Sequence, residues 1–99
     1  MRDALHRGTA FRSARVVVYV ALEGGPSWAA FAVSRRVGGA VVRNRARRLL
    51  REAWRGVEPQ VREGCQVVLV ARPEIVGAKA QEVAREVRTM LDRSGVLQG

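Results

Sequence analysis

The stretch from Arg35 to Arg55, RRVGGAVVRNRARRLLREAWR, decides both the fold and the charge of this chain. Two glycines near its start are followed, from about residue 40, by apolar residues that recur with the period of an amphipathic helix. Gly56 and Pro59 come next, in the order that usually ends a helix. The pattern therefore predicts a helix over residues 40–55.

The predicted helix sorts its residues onto two faces. At about 100° per residue, the apolar stripe consists of Ala46, Leu49, Leu50 and Ala53. The opposite face carries Asn44, Arg47, Arg48, Arg51 and Arg55. Arg43 falls at one border of the stripe and Arg45 at the other. Arginines four residues apart repel one another, so this face favours an anionic partner, which the exposed N–H groups at the start of the helix would also attract.

Positive charge is concentrated in this stretch. The 99-residue chain has a formal net charge of +9, and residues 35–55, with eight arginines and one glutamate, account for +7 of it. Such a local excess suggests a polyanion: nucleic acid is favoured, with an anionic membrane surface or an ordinary solvated face as alternatives. The chain has 17 arginines and one lysine, which fits bidentate contacts to phosphate or a compositional bias of the source genome.

The flanking segments predict a sheet. Residues 15–22 (RVVVYVAL) and 28–34 (WAAFAVS) are typical of strands, and the turn at 23–27, with its glycines and proline, predicts that they pair as a hairpin. Residues 65–72 (CQVVLVAR) predict a further strand, which Pro73 stops.

Residues 78–94 form an amphipathic pattern and predict a second long helix. Its apolar stripe consists of Ala80, Val83, Ala84, Val87, Met90 and Leu91. Residues 3–7 match the last turns of a further helix, closed by Gly8. With no repeat or linker, the order of elements predicts a single α+β domain over residues 1–99: a two-layer α-β sandwich with helices mainly on one face of the sheet.

The chain offers little of what a protein nuclease needs. Its nine acidic residues are scattered, without the converging carboxylates of a metal-dependent site. The one histidine, His6, lies near the start of the sequence. The one cysteine, Cys65, has no neighbouring histidine and is expected to be a buried or half-buried small hydrophobe. We therefore predict neither catalytic residues nor a protein-bound metal.

Three aromatic residues have two interpretations each. Tyr19 and Trp54 are consistent either with core packing or with stacking on unpaired bases. Trp28 is consistent with filling an edge strand or with an exposed contact. The start of the sequence has no apolar core of signal-peptide type, and no apolar run is long enough for a membrane helix. A single cysteine fits a reducing compartment, so the sequence predicts a soluble, cytoplasmic protein without a membrane or small-molecule partner.

The segment FAVSRRVGGAVVRNRARRLLREAWR (31–55) resembles the signature of the protein subunit of bacterial ribonuclease P, with its Arg-Asn-Arg motif at Arg43, Asn44 and Arg45. The flanks agree, since RGTAF and VVVYV resemble the segment that leads into the family's first strand, and GCQVVLVARP (64–73) resembles its last strand. The resemblance covers roughly residues 5 to 93.

The resemblance implies a ribosomal-protein-like fold with a mainly antiparallel sheet and a left-handed βαβ crossover through the Arg-Asn-Arg helix. It also implies a role in tRNA processing. The partners would be a catalytic ribonuclease P RNA and precursor tRNA, whose 5′ leader is removed by the RNA with magnesium that the RNA, rather than the protein, binds. The alternative from the residues alone is a non-catalytic module that binds ribosomal RNA, which leader dependence would distinguish.

The predicted RNA-binding set combines the motif with the arginines around it: Arg35, Arg36, Arg43, Asn44, Arg45, Arg47, Arg48, Arg51 and Arg55. The resemblance assigns a cleft for the leader to Tyr19, Asn44, Arg47 and Arg51. The chain departs from the family in three places. Its N-terminal helix is expected to be short, Leu5 falls near an expected aromatic residue, and Gly39 replaces the usual asparagine.

Overall fold

The computed structural model describes residues 9–98, which form four strands and two long helices. The strands are β1 (Thr9–Arg12), β2 (Val16–Leu22), β3 (Trp28–Val33) and β4 (Cys65–Ala71), and the helices are α1 (Ala40–Val57) and α2 (Ala80–Ser94). Single 3₁₀ turns occupy Arg35–Val37, Glu58–Gln60 and Pro73–Ile75. The helix predicted at residues 3–7, together with Leu5, His6 and Gly8, lies outside the described residues.

The strands form one sheet in the order β1-β2-β4-β3. β1 pairs with β2 and β2 pairs with β4 in antiparallel fashion, whereas β3 and β4 are parallel and are joined through α1. The prediction of an α+β sandwich with a mainly antiparallel sheet and a βαβ crossover is therefore confirmed. The short β1, which is not predicted as a strand, is a four-residue edge strand of the sheet.

The predicted hairpin of β2 and β3 is wrong, because β4 lies between them. β4 is buried along nearly its whole length, as expected for a strand with a neighbour on each edge. The connection at 23–27 crosses the start of β4 instead of turning tightly. There the Gly24 N–H donates to the Gly64 carbonyl (3.1 Å), and Gln66 Nε2 donates to the carbonyls of Gly24 (3.1 Å) and Pro26 (2.9 Å).

Both helices pack on one face of the sheet and against each other. α1 contributes Ala46, Leu49, Leu50, Ala53 and Val57, and α2 contributes Val83, Val87, Met90 and Leu91. The predicted stripe of α1 is thus confirmed, and that of α2 is confirmed except at Ala80, which is exposed in the first turn. These side chains cover alternate residues of the strands, including Val18 and Leu69.

The predicted end of α1 is wrong by two residues. Gly56 lies inside the helix, which continues to Val57 because Val57 is buried in the core and extends the apolar stripe by one position. Pro59 falls in the 3₁₀ turn that follows, where its missing N–H is tolerated.

Glu86 joins α2 to the turn between β1 and β2. Its carboxylate accepts hydrogen bonds from the Ser13 hydroxyl (2.7 Å) and the Arg15 backbone N–H (2.9 Å), and it also pairs with the Arg15 guanidinium. Partial burial raises the pKa of Glu86, but the hydrogen bonds and the charge of Arg15 outweigh it and hold the pKa below its ordinary value. The hydrogen bond between the Arg15 guanidinium and the Glu86 carboxylate also raises the pKa of Arg15.

Candidate nucleic-acid interface

The face of α1 opposite its buried stripe is basic and largely exposed, as predicted. Asn44, Arg48, Arg51 and Arg55 are exposed and Arg47 is half-buried. The ion pairs among residues 9–98 join Arg15 to Glu82 and Glu86 and join Arg72 to Glu74, and none includes an arginine of α1. The helix carries six arginines and one glutamate, so its net charge of +5 is not compensated by carboxylates in the described fold.

The individual arginines of α1 differ in their contacts. Arg45 Nη2 donates to the carbonyl of Ala78, in the segment before α2, at 2.8 Å. Arg47 Nη1 donates to Asn44 Oδ1 at 3.3 Å, and the guanidinium carbon of Arg51 lies 5.8 Å from the ring centroid of Phe31 in β3. Arg45 therefore links α1 to the loop before α2, while Arg51 lies over β3. Arg47 precedes Arg51 by four residues and so lies on the same side of the helix.

The start of α1 is left open to a ligand. Its N-cap residue, Gly39, provides no side-chain cap, and Asn44 bonds to Arg47 rather than to the helix end. Arg35 and Arg36 are exposed on the 3₁₀ turn just before α1, which buried Val37 anchors to the core. These two arginines therefore extend the basic surface beyond the first turn of α1.

Gly38 sets the approach of that turn to α1. Its φ of 153° is in the region that favours glycine, and a Cβ there would lie 3.0 Å from the Cγ1 atom of Val42. A larger residue would therefore push the 3₁₀ turn and its arginines away from the helix.

Arg43 lies at the border of the stripe, as the helical period predicts. It is half-buried, and its Nε atom is buried without a hydrogen-bond partner. Its guanidinium is consequently more constrained than those of Arg48 and Arg55 further along the helix.

Tyr19 lies on the opposite face of the sheet. There Ala21 and Val68 are buried, and Tyr19, Trp28, Ala30 and Val70 pack around them; all six belong to strands. Tyr19 pairs across the sheet with Val68, which in turn pairs with Ala30 of the edge strand β3. The four residues predicted to line a leader cleft are therefore divided, with Tyr19 on one side of the sheet and Asn44, Arg47 and Arg51 on the helix side.

The two sides meet at the edge of β3. Ala30 and Phe31 are consecutive, so their side chains point to opposite faces, with Ala30 in the row of Tyr19 and Phe31 beneath Arg51. The small side chains of β3 (Ala29, Ala30 and Ala32) leave little bulk along this edge.

The tryptophans occupy different environments. Trp54 belongs to α1 and is half-buried against the core on the helix side of the sheet. Trp28 shares the opposite face with Tyr19. Both also line a cavity of about 180 Å³ at the end of the sheet, near Cys65. Sequence reasoning missed that Trp28 joins Tyr19, because this follows from the register between β3 and β4.

Cys65 is buried, as predicted, with 1% of its surface exposed. Burial raises the pKa of its thiol, and the charge of nearby Arg62 lowers it by less.

In the part of the chain that the structure describes, no three His, Cys, Asp or Glu side chains are grouped so that they could hold a metal ion. No helix in residues 9–98 is long and apolar enough to span a bilayer.

Known proteins are similar to this chain in sequence and in fold. The sequence profile of the family described as Ribonuclease P matches residues 2–95. The chain is 41% identical over 92 residues to the ribonuclease P protein component of Symbiobacterium thermophilum, which covers 93% of this chain and 80% of that relative. It is 44% identical over 70 residues to that of Roseiflexus castenholzii, which covers 70% of this chain and 57% of the relative.

The structure of the RNase P protein of Staphylococcus aureus superimposes with a TM-score of 0.81 at 19% identity, covering 98% of this chain and 90% of that one. At that identity the likeness shows the fold alone, and the fold agrees with the two sequence matches. Since the profile spans nearly the whole chain and the Symbiobacterium relative is alike over most of its length, this chain belongs to the family of ribonuclease P protein components.

Proposed function

We propose that this chain, as the protein subunit of the endoribonuclease ribonuclease P, holds the 5′ leader of precursor tRNA while the catalytic RNA subunit removes it. The observation that carries the proposal is the uncompensated arginine face of α1. Repulsion between neighbouring arginines is relieved when phosphates lie between them, and each such contact releases counterions. RNA binding thus supplies the charges that the fold itself does not.

The leader follows the row of the sheet that leads from Tyr19 to α1. An unpaired base stacks on Tyr19, and the strand then passes over Val68 and Ala30 to the edge of β3. Around that edge its phosphates meet Arg51 above Phe31. Beyond it lie Arg47 and Asn44, which bond to each other. This route unites the two separated parts of the predicted cleft.

The remaining basic residues face the catalytic RNA. Arg35, Arg36 and Arg48 are exposed, and with Arg43, Asn44, Arg45 and Arg55 they form the rest of the proposed RNA-binding set. Magnesium bound by the RNA supplies the cleavage chemistry in this proposal, and the polypeptide binds and orients the substrate. The expected place of action is the cytoplasm.

Reconstitution with a bacterial ribonuclease P RNA tests the proposal. At low magnesium, where binding by RNA alone is weak, we expect the protein to increase the rate of leader removal. A variant with Tyr19→Ala tests the proposed route, since it should lose more activity on a precursor with a long leader than on one with a single leader nucleotide. Absence of any stimulation by the wild-type protein would refute the proposal, and binding to ribosomal RNA without leader dependence would support the alternative module.

A further inference from the structure

A small apolar pocket lies at the start of α1, beside the arginine face. It has a volume of about 220 Å³ and is lined mainly by Val41, Val42, Arg45, Ala46, Ile75 and Val76. Val41 is 83% exposed, Val76 53% and Val42 36%. Single exposed valines are ordinary, but three of them around one pocket form an apolar patch of the kind that binds a partner.

The pocket is bordered by positive charge. Arg45 forms part of its wall and follows Val41 by four residues, and Arg48 follows Val41 by seven, so the three side chains lie along one line of the helix surface. Arg45 uses Nη2 to bond the Ala78 carbonyl, and a guanidinium has further N–H donors. An apolar floor beside arginines is complementary to a nucleotide, whose base is flat and weakly polar on its face and whose phosphate is anionic.

Other occupants match the charge less well. A second copy of this chain would bring its own net charge of +9 to the contact, and like charges oppose such an association. A membrane surface would attract the arginines, but a membrane-binding helix needs a broad apolar face, and the stripe of α1 is already buried in the core.

The position of the pocket indicates which RNA supplies the nucleotide. The pocket is built from α1 and the segment before α2, in the helix layer. Tyr19 and the proposed leader route lie on the other face of the sheet and along β3. A nucleotide that enters the pocket therefore belongs to an RNA that approaches the helix layer, rather than to the leader.

We propose that this pocket receives an unpaired nucleotide of the ribonuclease P RNA, with its base against Val41 and Val76 and its phosphate beside Arg48. The inference rests on the proposed function, because it names a further contact of the same helix with the catalytic RNA. It assigns a role to apolar residues that the charge pattern leaves unexplained.

The double variant Val41→Ser, Val76→Ser tests the pocket. Removing about one buried valine side chain of apolar contact corresponds to roughly tenfold weaker binding of the ribonuclease P RNA. The slope of log affinity against log salt should stay unchanged, since no phosphate contact is removed. Leu22→Ser is the matched control, because Leu22 is exposed to the same 53% as Val76 but lies at the end of β2, and its affinity should equal that of the wild type.

The outcomes separate this inference from the proposed function. If the wild-type protein binds the RNA and the double variant binds it equally well, the pocket assignment is overturned and the proposed function stands. If the wild-type protein does not bind the RNA, both fall. Loss of binding to anionic vesicles with unchanged RNA affinity would identify a membrane site, and a wild-type dimer that the substitutions dissociate would identify self-association; each result overturns the inference.

A crosslink provides a second measurement that does not depend on affinity. The native Cys65 is buried, so a photoreactive group attached to a Val76→Cys variant labels the pocket selectively. We expect crosslinks to one or two unpaired nucleotides of the ribonuclease P RNA, lost on competition with unlabelled wild-type protein. Crosslinks confined to the leader of the precursor would contradict the assignment.

Discussion

The two long helices pack on the same face of the same sheet, yet they differ in charge balance and in the salt bridges of their charged side chains. α1 carries six arginines and one glutamate, and its arginines form no salt bridge with the described carboxylates. α2 carries three arginines and three acids, and two of those acids, Glu82 and Glu86, pair with Arg15. These two acids of α2 therefore pair within the fold, whereas the arginines of α1 have no carboxylate partner among the described residues.

The contrast begins at the helix ends. The Glu82 carboxylate accepts the backbone N–H of Lys79 at 2.8 Å, which caps α2 and lowers the pKa of Glu82. α1 begins at Ala40, after the N-cap residue Gly39, without a side-chain cap, and it has no acid in its first turn. A bound phosphate would supply the negative charge that α1 lacks at this end.

Reversing charges should produce the largest difference between the two helices, measured as a loss of RNA affinity. For Arg48→Glu, Arg55→Glu on α1 we expect about 100-fold weaker binding of the ribonuclease P RNA, from about tenfold per reversed contact. The matched variant on α2 is Arg85→Glu, Arg93→Glu, which changes the net charge equally at exposed positions. Filter binding at fixed salt measures both, and an equal loss for the two variants would show that only total charge matters.

Removing an acidic side chain should show the opposite pattern, with a larger loss of stability on α2 than on α1. Glu86→Ala on α2 deletes hydrogen bonds to Ser13 and Arg15 and should lower the free energy of unfolding by about 2 kcal/mol. Glu52→Ala on α1 is the control, since Glu52 is exposed and should cost less than about 0.5 kcal/mol. Urea unfolding followed by circular dichroism measures both values; a larger loss for Glu52→Ala would be inconsistent with the contrast.

The contribution of Glu86 should also depend on pH. Because the folded-state pKa of Glu86 lies below its ordinary value of 4.5, its stabilisation is complete above that value and is lost as the pH falls through the lowered pKa. The difference in unfolding free energy between the wild type and Glu86→Gln should therefore shrink from about pH 7 to about pH 3. A difference that stays constant on acidification would show that ionisation of Glu86 does not contribute to stability.

Arg45 should contribute to stability through its hydrogen bond within the fold, although its side chain is exposed. Arg45→Ala removes the hydrogen bond to the Ala78 carbonyl and should reduce stability by about 1 kcal/mol. Arg48→Ala, at an exposed position, should leave the unfolding free energy unchanged and lower the RNA affinity. Thermal unfolding of both variants tests this division, and equal stability would mean that Arg45 has no anchoring role.

Local patterns in the sequence predict the features that depend on neighbouring residues, such as the buried and exposed faces of a helix. The helical period placed Leu49 and Leu50 in the core and Arg48 and Arg51 on the outside, because a helix fixes the direction of each side chain from its position alone. The end of α1 was missed by two residues, because the burial of Val57, which the tertiary packing decides, outweighs the local preference of Gly56.

Long-range pairing was not predictable in the same way. The hairpin of β2 and β3 was an interpretation of adjacent strands, and the insertion of β4 between them depends on a strand that lies beyond α1 in the sequence. The same register joins Trp28 to Tyr19 and separates Tyr19 from Arg51. The hydrogen bond between Arg45 and Ala78 likewise depends on how α2 docks against α1.

The most direct test compares precursor and mature tRNA binding by the Arg47→Ala variant with the ribonuclease P RNA, using Arg85→Ala as the control on α2. If the arginine face of α1 holds the leader, Arg47→Ala should weaken binding of the precursor about fivefold, near 1 kcal/mol, and leave binding of the mature tRNA unchanged. Arg85→Ala should change neither. Equal losses for precursor and mature tRNA would contradict the account.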